Sequence, residues 1–148
     1  MPDILNSLRI YLKTKSAITA LVGSGDAARI YFHDAKEGAT MPYIVMEIFE
    51  GQSLEHLAGI SGVCSNRIQI DCYGVTAAAA YNLAEAVRLA PLQMFRGSMA
   101  TGGDLVRVLN VTGNVSYRRG FDPPVSGSSQ KRYWVSRDYI VMYQEATS

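Results

Sequence analysis

The sequence predicts an α+β fold: a mainly antiparallel sheet of four to five strands with helices packed on one face. Four stretches predict it. Residues 67–73 alternate Arg67, Gln69, Asp71 and Tyr73 with Ile68, Ile70 and Cys72, the period of two that marks a strand with one covered side. Residues 76–90, TAAAAYNLAEAVRLA, place Ala80, Leu83, Ala84, Val87 and Ala90 on one stripe at helical spacing. Two long β-rich stretches, 105–117 and 132–144, follow that helix, as expected when strands and helices are segregated and do not alternate.

The remaining elements follow in chain order. Ile4, Leu5, Leu8, Tyr11 and Leu12 recur at helical spacing, Asp3 can cap the first turn, and Lys13 and Lys15 suit the negative end. Ser16 can cap a second short helix through Ile18, Leu21 and Val22, which Gly23 stops. A short strand spans 29–33, and a polar loop over 34–42 ends in Met41-Pro42. The next strand, YIVMEIFE, sets Ile44, Met46 and Ile48 against Tyr43, Val45, Glu47 and Phe49. A Gly/Ser-rich connection over 51–62 leads to the 67–73 strand. Thr76 caps the alanine-rich helix and Pro91 ends it. The 105–117 strand is expected to bend or bulge near Gly113. Tyr133, Val135, Arg137, Tyr139, Val141 and Tyr143 share one side of the last strand. Between these two strands, 118–131 reads as a long mobile loop, far beyond the two to five residues of a tight hairpin.

At 148 residues and 16.2 kDa the chain suits one domain, 1–148, large enough to bury a core without cross-links. Hydrophobic residues make up 48% and charged residues 18%, which disfavours disorder and coiled coil. Fourteen Lys and Arg against thirteen Asp and Glu leave a net charge of +1. A protein that grips many phosphates carries a larger basic excess, so a nucleic-acid-binding module is a minor alternative, testable by low-salt gel shift. The N-terminus interleaves charged and apolar residues, unlike a signal peptide, and no apolar run approaches a membrane span. Cys64 and Cys72 make no disulfide framework for a chain of this size, so a reducing cytoplasm is expected as the place of synthesis.

Motifs for catalysis and cofactors are missing. His33, His56, Cys64 and Cys72 lack the spacing of a zinc site and read as surface imidazoles and half-buried thiols. Gly23-Ser24-Gly25 follows a helix, where a dinucleotide loop needs a preceding strand and a third glycine, and Gly102-Gly103 lacks the Lys-Ser/Thr of a phosphate loop. Both read as turns. Gly59-Ile60-Ser61-Gly62 is not a nucleophile elbow. No catalytic residue, metal or cofactor is expected. The competing reading, a small enzyme using Asp71 as base or a thiol, requires activity to vanish with that side chain.

Charge is distributed in blocks. Residues 118–139 hold Arg118, Arg119, Lys131, Arg132 and Arg137 against Asp122 and Asp138, a balance of +3. Residues 34–62 hold Lys36 against Asp34, Glu37, Glu47, Glu50 and Glu55, a balance of −4. Such blocks are often a mixed surface without a role. They also suit a head-to-tail contact between copies, which closes into a ring when the rotation permits. The candidate interface residues are Arg118, Arg119, Phe121, Asp122, Lys131 and Arg132 on one side and Glu37, Glu50 and Glu55 on the other.

The order of these segments carries a family resemblance. An amphipathic helix leads to RIYFHDA, then MPYIVMEIFEGQSLEHLAGISG, NRIQIDCYG, the alanine helix, the link Pro91-Leu92-Gln93-Met94-Phe95-Arg96-Gly97 and the aromatic strand RYWVSRDYIVMYQ. Over about residues 3–144 this resembles the tail completion, or tail terminator, proteins of long-tailed bacteriophages and prophages. The 118–131 stretch departs from the pattern in its length and its Pro and Ser content. The resemblance implies a structural virion protein, not an enzyme. It implies a ring, typically of six subunits, on the head-proximal end of the tail tube. That ring stops tube growth and offers a surface to the head. The implied partners are further copies of the chain, the major tail tube protein and a head–tail connector or stopper, with DNA only as cargo through the lumen and no membrane. The alternative within the class is another connector or stopper. The 51–62 and 118–131 segments are expected at the contacts.

Overall fold

The computed structural model describes residues 4–35, 38–56, 59–89, 97–101, 104–123 and 131–144. Helix α1 (Ile4–Leu12) and helix α2 (Ser16–Val22) precede strands β1 (Ile30–Phe32), β2 (Tyr43–His56) and β3 (Gly59–Gly74). Helix α3 (Ala77–Val87) and strands β4 (Gly97–Thr101), β5 (Asp104–Asp122) and β6 (Arg132–Gln144) follow. Among the described residues the strands form one six-stranded sheet in the order β1-β2-β3-β6-β5-β4. Every pairing is antiparallel except β1 with β2. The fold is α+β, with its helices on one face, as the alternation and the alanine stripe predict.

The core lies between that face and the helices. Ile4, Leu5, Leu8 and Leu12 of α1, Ile18 and Val22 of α2 and Ala80, Leu83, Ala84 and Val87 of α3 are buried in it. They meet Ile44 and Met46 of β2, Ile68, Ile70 and Cys72 of β3 and Val135, Tyr139 and Val141 of β6. Each large aliphatic side chain removed from water here contributes roughly 1.5–3 kcal/mol. Cys72 is fully buried, where the sequence suggested a half-buried thiol, and burial pushes its thiol pKa up. A side chain there is inert packing.

Local chemistry sets the helix positions. Thr76 caps α3 by accepting from the Ala79 amide at 3.0 Å. Gly74 ends β3 directly beneath that turn; a Cβ there would sit 2.6 Å from the Ala80 nitrogen and 2.9 Å from the Ala79 Cβ. Its missing side chain lets α3 start against the sheet. Arg9 of α1 donates to the carbonyls of Ile30 (3.0 Å) and Ala28 (3.2 Å). Arg29 donates to the carbonyls of Pro42 (3.0 Å) and Leu21 (2.9 Å), tying α2 to the start of β2. The Met41–Pro42 peptide is cis. Gly23 closes α2 at φ +90°.

Several boundaries differ from expectation. Residue 16 opens α2 with Lys15 as its cap, and no side-chain capping bond forms, so Ser16 is not the cap. Asp3 and Ala90 lie outside the described residues. The 51–62 segment is not a loop: β2 runs to His56 and β3 begins at Gly59, with Glu55 opposite Ile60. Glycine and serine are tolerated there because cross-strand backbone pairing supplies the order that local propensity does not. The expected loop over 118–131 is also shorter. Residues 118–122 are the end of β5, paired with 132–136 of β6, so only 123–131 connect the two strands. Tyr117, Arg119 and Phe121 keep the strand alternation that the nearby Gly and Pro obscured. The expected bend in β5 is present as a register shift between Thr112 and Ser116, bracketing Gly113. The five-residue β4 has no counterpart in the sequence reading; it pairs with β5 with Thr101 opposite Asp104.

Candidate interaction surfaces

Strands β5 and β6 carry Arg118, Arg119, Phe121, Asp122 and Arg132 of the sequence-selected residues, and strand alternation splits them between two faces. Arg118 and Asp122 lie on the face away from the helices, while Arg119 and Phe121 lie on the helix side. The two faces differ in chemistry.

The face away from the helices is organised around Asp138, which is 2% exposed. Arg67 of β3 donates to its Oδ2 at 2.7 and 3.0 Å. Arg118 of β5 approaches Oδ1 at 3.8 Å and donates to Gln69 Oε1 at 3.1 Å. Gln69 in turn donates to both oxygens of Asp71 at 3.1 Å. The β3–β6–β5 register puts Gln69 beside Asp138 and Ser136 between Asp71 and Arg118, which makes this chain of contacts possible. A shallow hollow of about 280 Å³ beside it is lined by Gln69, Asp71, Tyr73, Arg118, Asp122, Trp134 and Ser136. Tyr43 stacks on Tyr73 at 4.8 Å, and burial pushes the Tyr73 hydroxyl pKa up to about 12. Asp71, the base of the competing enzyme reading, is thus engaged by a neighbouring amide.

On the helix side an apolar groove of about 480 Å³ runs between the first turns of α3 and the adjacent ends of β5 and β6. Ala77, Ala78 and Tyr81 form one wall, and Tyr117, Phe121 and Tyr133 the other. Tyr81, Tyr117 and Phe121 are 46%, 44% and 55% exposed, an unusual concentration of solvent-facing aromatics for one patch. Gly120 also lines it; a Cβ there would meet the Trp134 ring at 2.8 Å on the other face of the sheet, and the glycine allows the indole to lie across β5. Lys131 places its Nζ 4.8 Å from the centroid of the Phe121 ring, and Arg119 lines the same groove.

Beneath the groove Arg137, 6% exposed, fastens β6 to α3. It donates to the Ala84 carbonyl at 3.1 Å and to Glu85 at 2.6 Å, and its guanidinium lies 5.0 Å from the Tyr117 ring. Glu85 also accepts from Arg88 at 2.7 Å. The Arg88 hydrogen bonds, followed by those of Arg137, outweigh desolvation and hold the Glu85 carboxyl at about 2.

The structure therefore reduces the basic block. Arg137 is committed to Glu85, Arg118 to the Asp138 network, and Arg132 to Asp122, its cross-strand partner, at 3.4 Å. Arg119 and Lys131 remain exposed, and among the described residues neither forms an ion pair. On the acidic side, Glu37 lies outside the described residues. Glu50 and Glu55 are placed in β2 by their backbones alone, Glu50 opposite Arg67 and Glu55 opposite Ile60. Tyr81, Tyr117 and Tyr133 were missed as surface residues. Their sequence signals were weak: Tyr81 stands off the α3 stripe, and Tyr117, Arg119 and Phe121 recur at every second position. Among the described residues no group of three His, Cys, Asp or Glu side chains is placed to hold a metal.

Residues 6–132 match the family model described as tail completion protein gp17. The chain belongs to the tail completion family. It is a structural protein of the bacteriophage virion, located in the tail. A similar fold is seen in a solved structure: one chain of a particle described as the virion of native gene transfer agent (GTA) superposes with a TM-score of 0.57. The likeness covers 94% of each chain at 17% identity, so it speaks to the shared fold. No curated protein matches this tail completion chain in sequence.

Proposed function

We propose that this tail completion protein forms a ring, a hexamer, on the head-proximal end of the tail tube. The ring stops addition of tube protein and presents the surface to which the head attaches. Its partners are copies of itself, the major tail tube protein and a head–tail connector or stopper, and DNA crosses its lumen. The observation that carries this reading is family membership over residues 6–132. Two physical features support it. A net charge of +1 suits a channel through which DNA slides, because many phosphate contacts would hold it. The exposed cations Arg119 and Lys131 and the acidic 34–62 stretch of the same chain suit contacts between unlike patches, which close into rings when the rotation permits.

The test is loss and restoration of the protein in a phage lysate. Without it, tails of uncontrolled length and free DNA-filled heads are expected by electron microscopy, and purified protein should restore joining. Native mass spectrometry of the restored tails should show six copies per tail. Tails of normal length that fail only to bind heads would point to the connector or stopper reading instead. Deleting 122–129 should leave the fold intact and impair tail joining; unaltered infectious particles would remove that segment from the contact.

A further inference from the structure

The aromatic groove and the far end of the β2–β3 hairpin are complementary, and they belong to opposite ends of the molecule. Three features define the groove: exposed aromatic side chains, an apolar floor, and two exposed cations, Arg119 and Lys131, that form no ion pair among the described residues. Its occupant must therefore bring apolar side chains and negative charge. Residues 47–63 hold Glu47, Glu50 and Glu55 together with Leu54 and Ile60, and contain no lysine or arginine. β1 pairs with β2 only at 44–46, and pairing of β3 with β6 begins at Val63 opposite Gln144. The end of the hairpin is thus paired, among the described residues, only to itself.

A chain cannot fill its own groove with this hairpin. The groove adjoins Gly74 and the start of α3, whereas the hairpin end is at Glu55 and Ile60. The run of β3 from residue 60 to residue 73 spans up to roughly 40 Å at strand rise. We infer that the hairpin end of one copy, around Leu54, Glu55 and Ile60, docks into the groove formed by Tyr81, Tyr117, Phe121 and Tyr133 of the next copy, with its glutamates toward Arg119 and Lys131. The contact joins unlike ends, so it propagates from copy to copy and closes into a ring at a suitable rotation. The inference rests on the ring reading for its place in the tail, and it names the surfaces that hold the ring together.

Two half-blocked chains test it. Phe121→Asp, at an exposed position, disables the groove and leaves the hairpin; Leu54→Asp with Glu55→Lys disables the hairpin and leaves the groove. Each alone should fold, as read by circular dichroism, and self-associate at least about 30-fold more weakly than the parent chain, the mark of a hot-spot contact. Mixed, they should form a one-to-one complex through the single intact pair of surfaces. Arg119→Glu with Lys131→Glu should weaken association, and Glu50→Lys with Glu55→Lys in the other chain should restore it. Undiminished assembly of the Phe121→Asp chain, or a mixture that yields no complex, overturns the inference. Rings that persist in the Phe121→Asp chain leave the ring reading intact while removing this contact. Open filaments of the parent chain that vanish in that variant would keep the contact and remove the ring.

Discussion

The two faces of β5 and β6 are built from neighbouring residues and have opposite consequences. On the face away from the helices, Asp138, Arg67, Arg118, Gln69 and Asp71 engage one another: Oδ2 of the buried Asp138 accepts from Arg67, and its Oδ1, which accepts no hydrogen bond among the described residues, lies 3.8 Å from Arg118. On the helix side, Tyr81, Tyr117 and Phe121 remain exposed beside Arg119 and Lys131. A charged cluster drawn into its own network has little left to offer a partner. An apolar groove with unspent cations has its desolvation still to gain. Charge counting along the chain cannot separate the two, because Arg118 and Arg119 are adjacent in sequence and face opposite ways.

Substitutions test this contrast, beginning with the wall shared by the groove and the core. Gly74→Ala forces a Cβ to within 2.6 Å of the α3 backbone; it should destabilise the fold by about 3 kcal/mol in urea unfolding and misplace the groove wall. Asp138→Ala leaves Arg67 and Arg118 without their buried anion. With both guanidiniums partly exposed and able to regain water, a cost of about 2 kcal/mol is expected. A smaller effect should appear with acid. The Glu85 carboxyl is held at about 2 against an ordinary value of 4.5, so the unfolded chain binds its proton first. The stability it contributes is fully present above about pH 4.5 and is lost as pH falls toward 2. Glu85→Gln should flatten that part of the stability–pH curve. Arg119→Ala and Lys131→Ala should change stability by less than about 0.5 kcal/mol. A clear loss of folding stability from either would show that these cations serve the fold and not an interface.

The strongly periodic elements were legible in the sequence. The alternation over 67–73, the α1 and α3 stripes and the irregularity near Gly113 all reappear in the structure. The Gly/Ser-rich 51–62 segment and residues 118–122, which run into Pro123-Pro124, read as loops because glycine, serine and proline punctuate them or their neighbours. Both are strands because a neighbouring strand pairs with them. Of the groove, Arg119, Lys131 and Phe121 belong to the candidate set that the sequence offers, whereas Tyr81, Tyr117 and Tyr133, which the structure sets beside them, do not. Tyr81 and Tyr133 are 52 residues apart along the chain and share a wall-to-wall groove only after α3 packs on β6.

By itself the sequence determined the class of fold, the inward side of α1, α3 and the 67–73 strand, and the order of segments that marks a tail completion protein. Local periodicity and composition are enough for those properties, since each is set by neighbours a few residues away. Only the tertiary structure decided which charges are spent and which remain. An ion pair such as Arg67 with Asp138 depends on the register between strands 71 residues apart, and no local pattern encodes it.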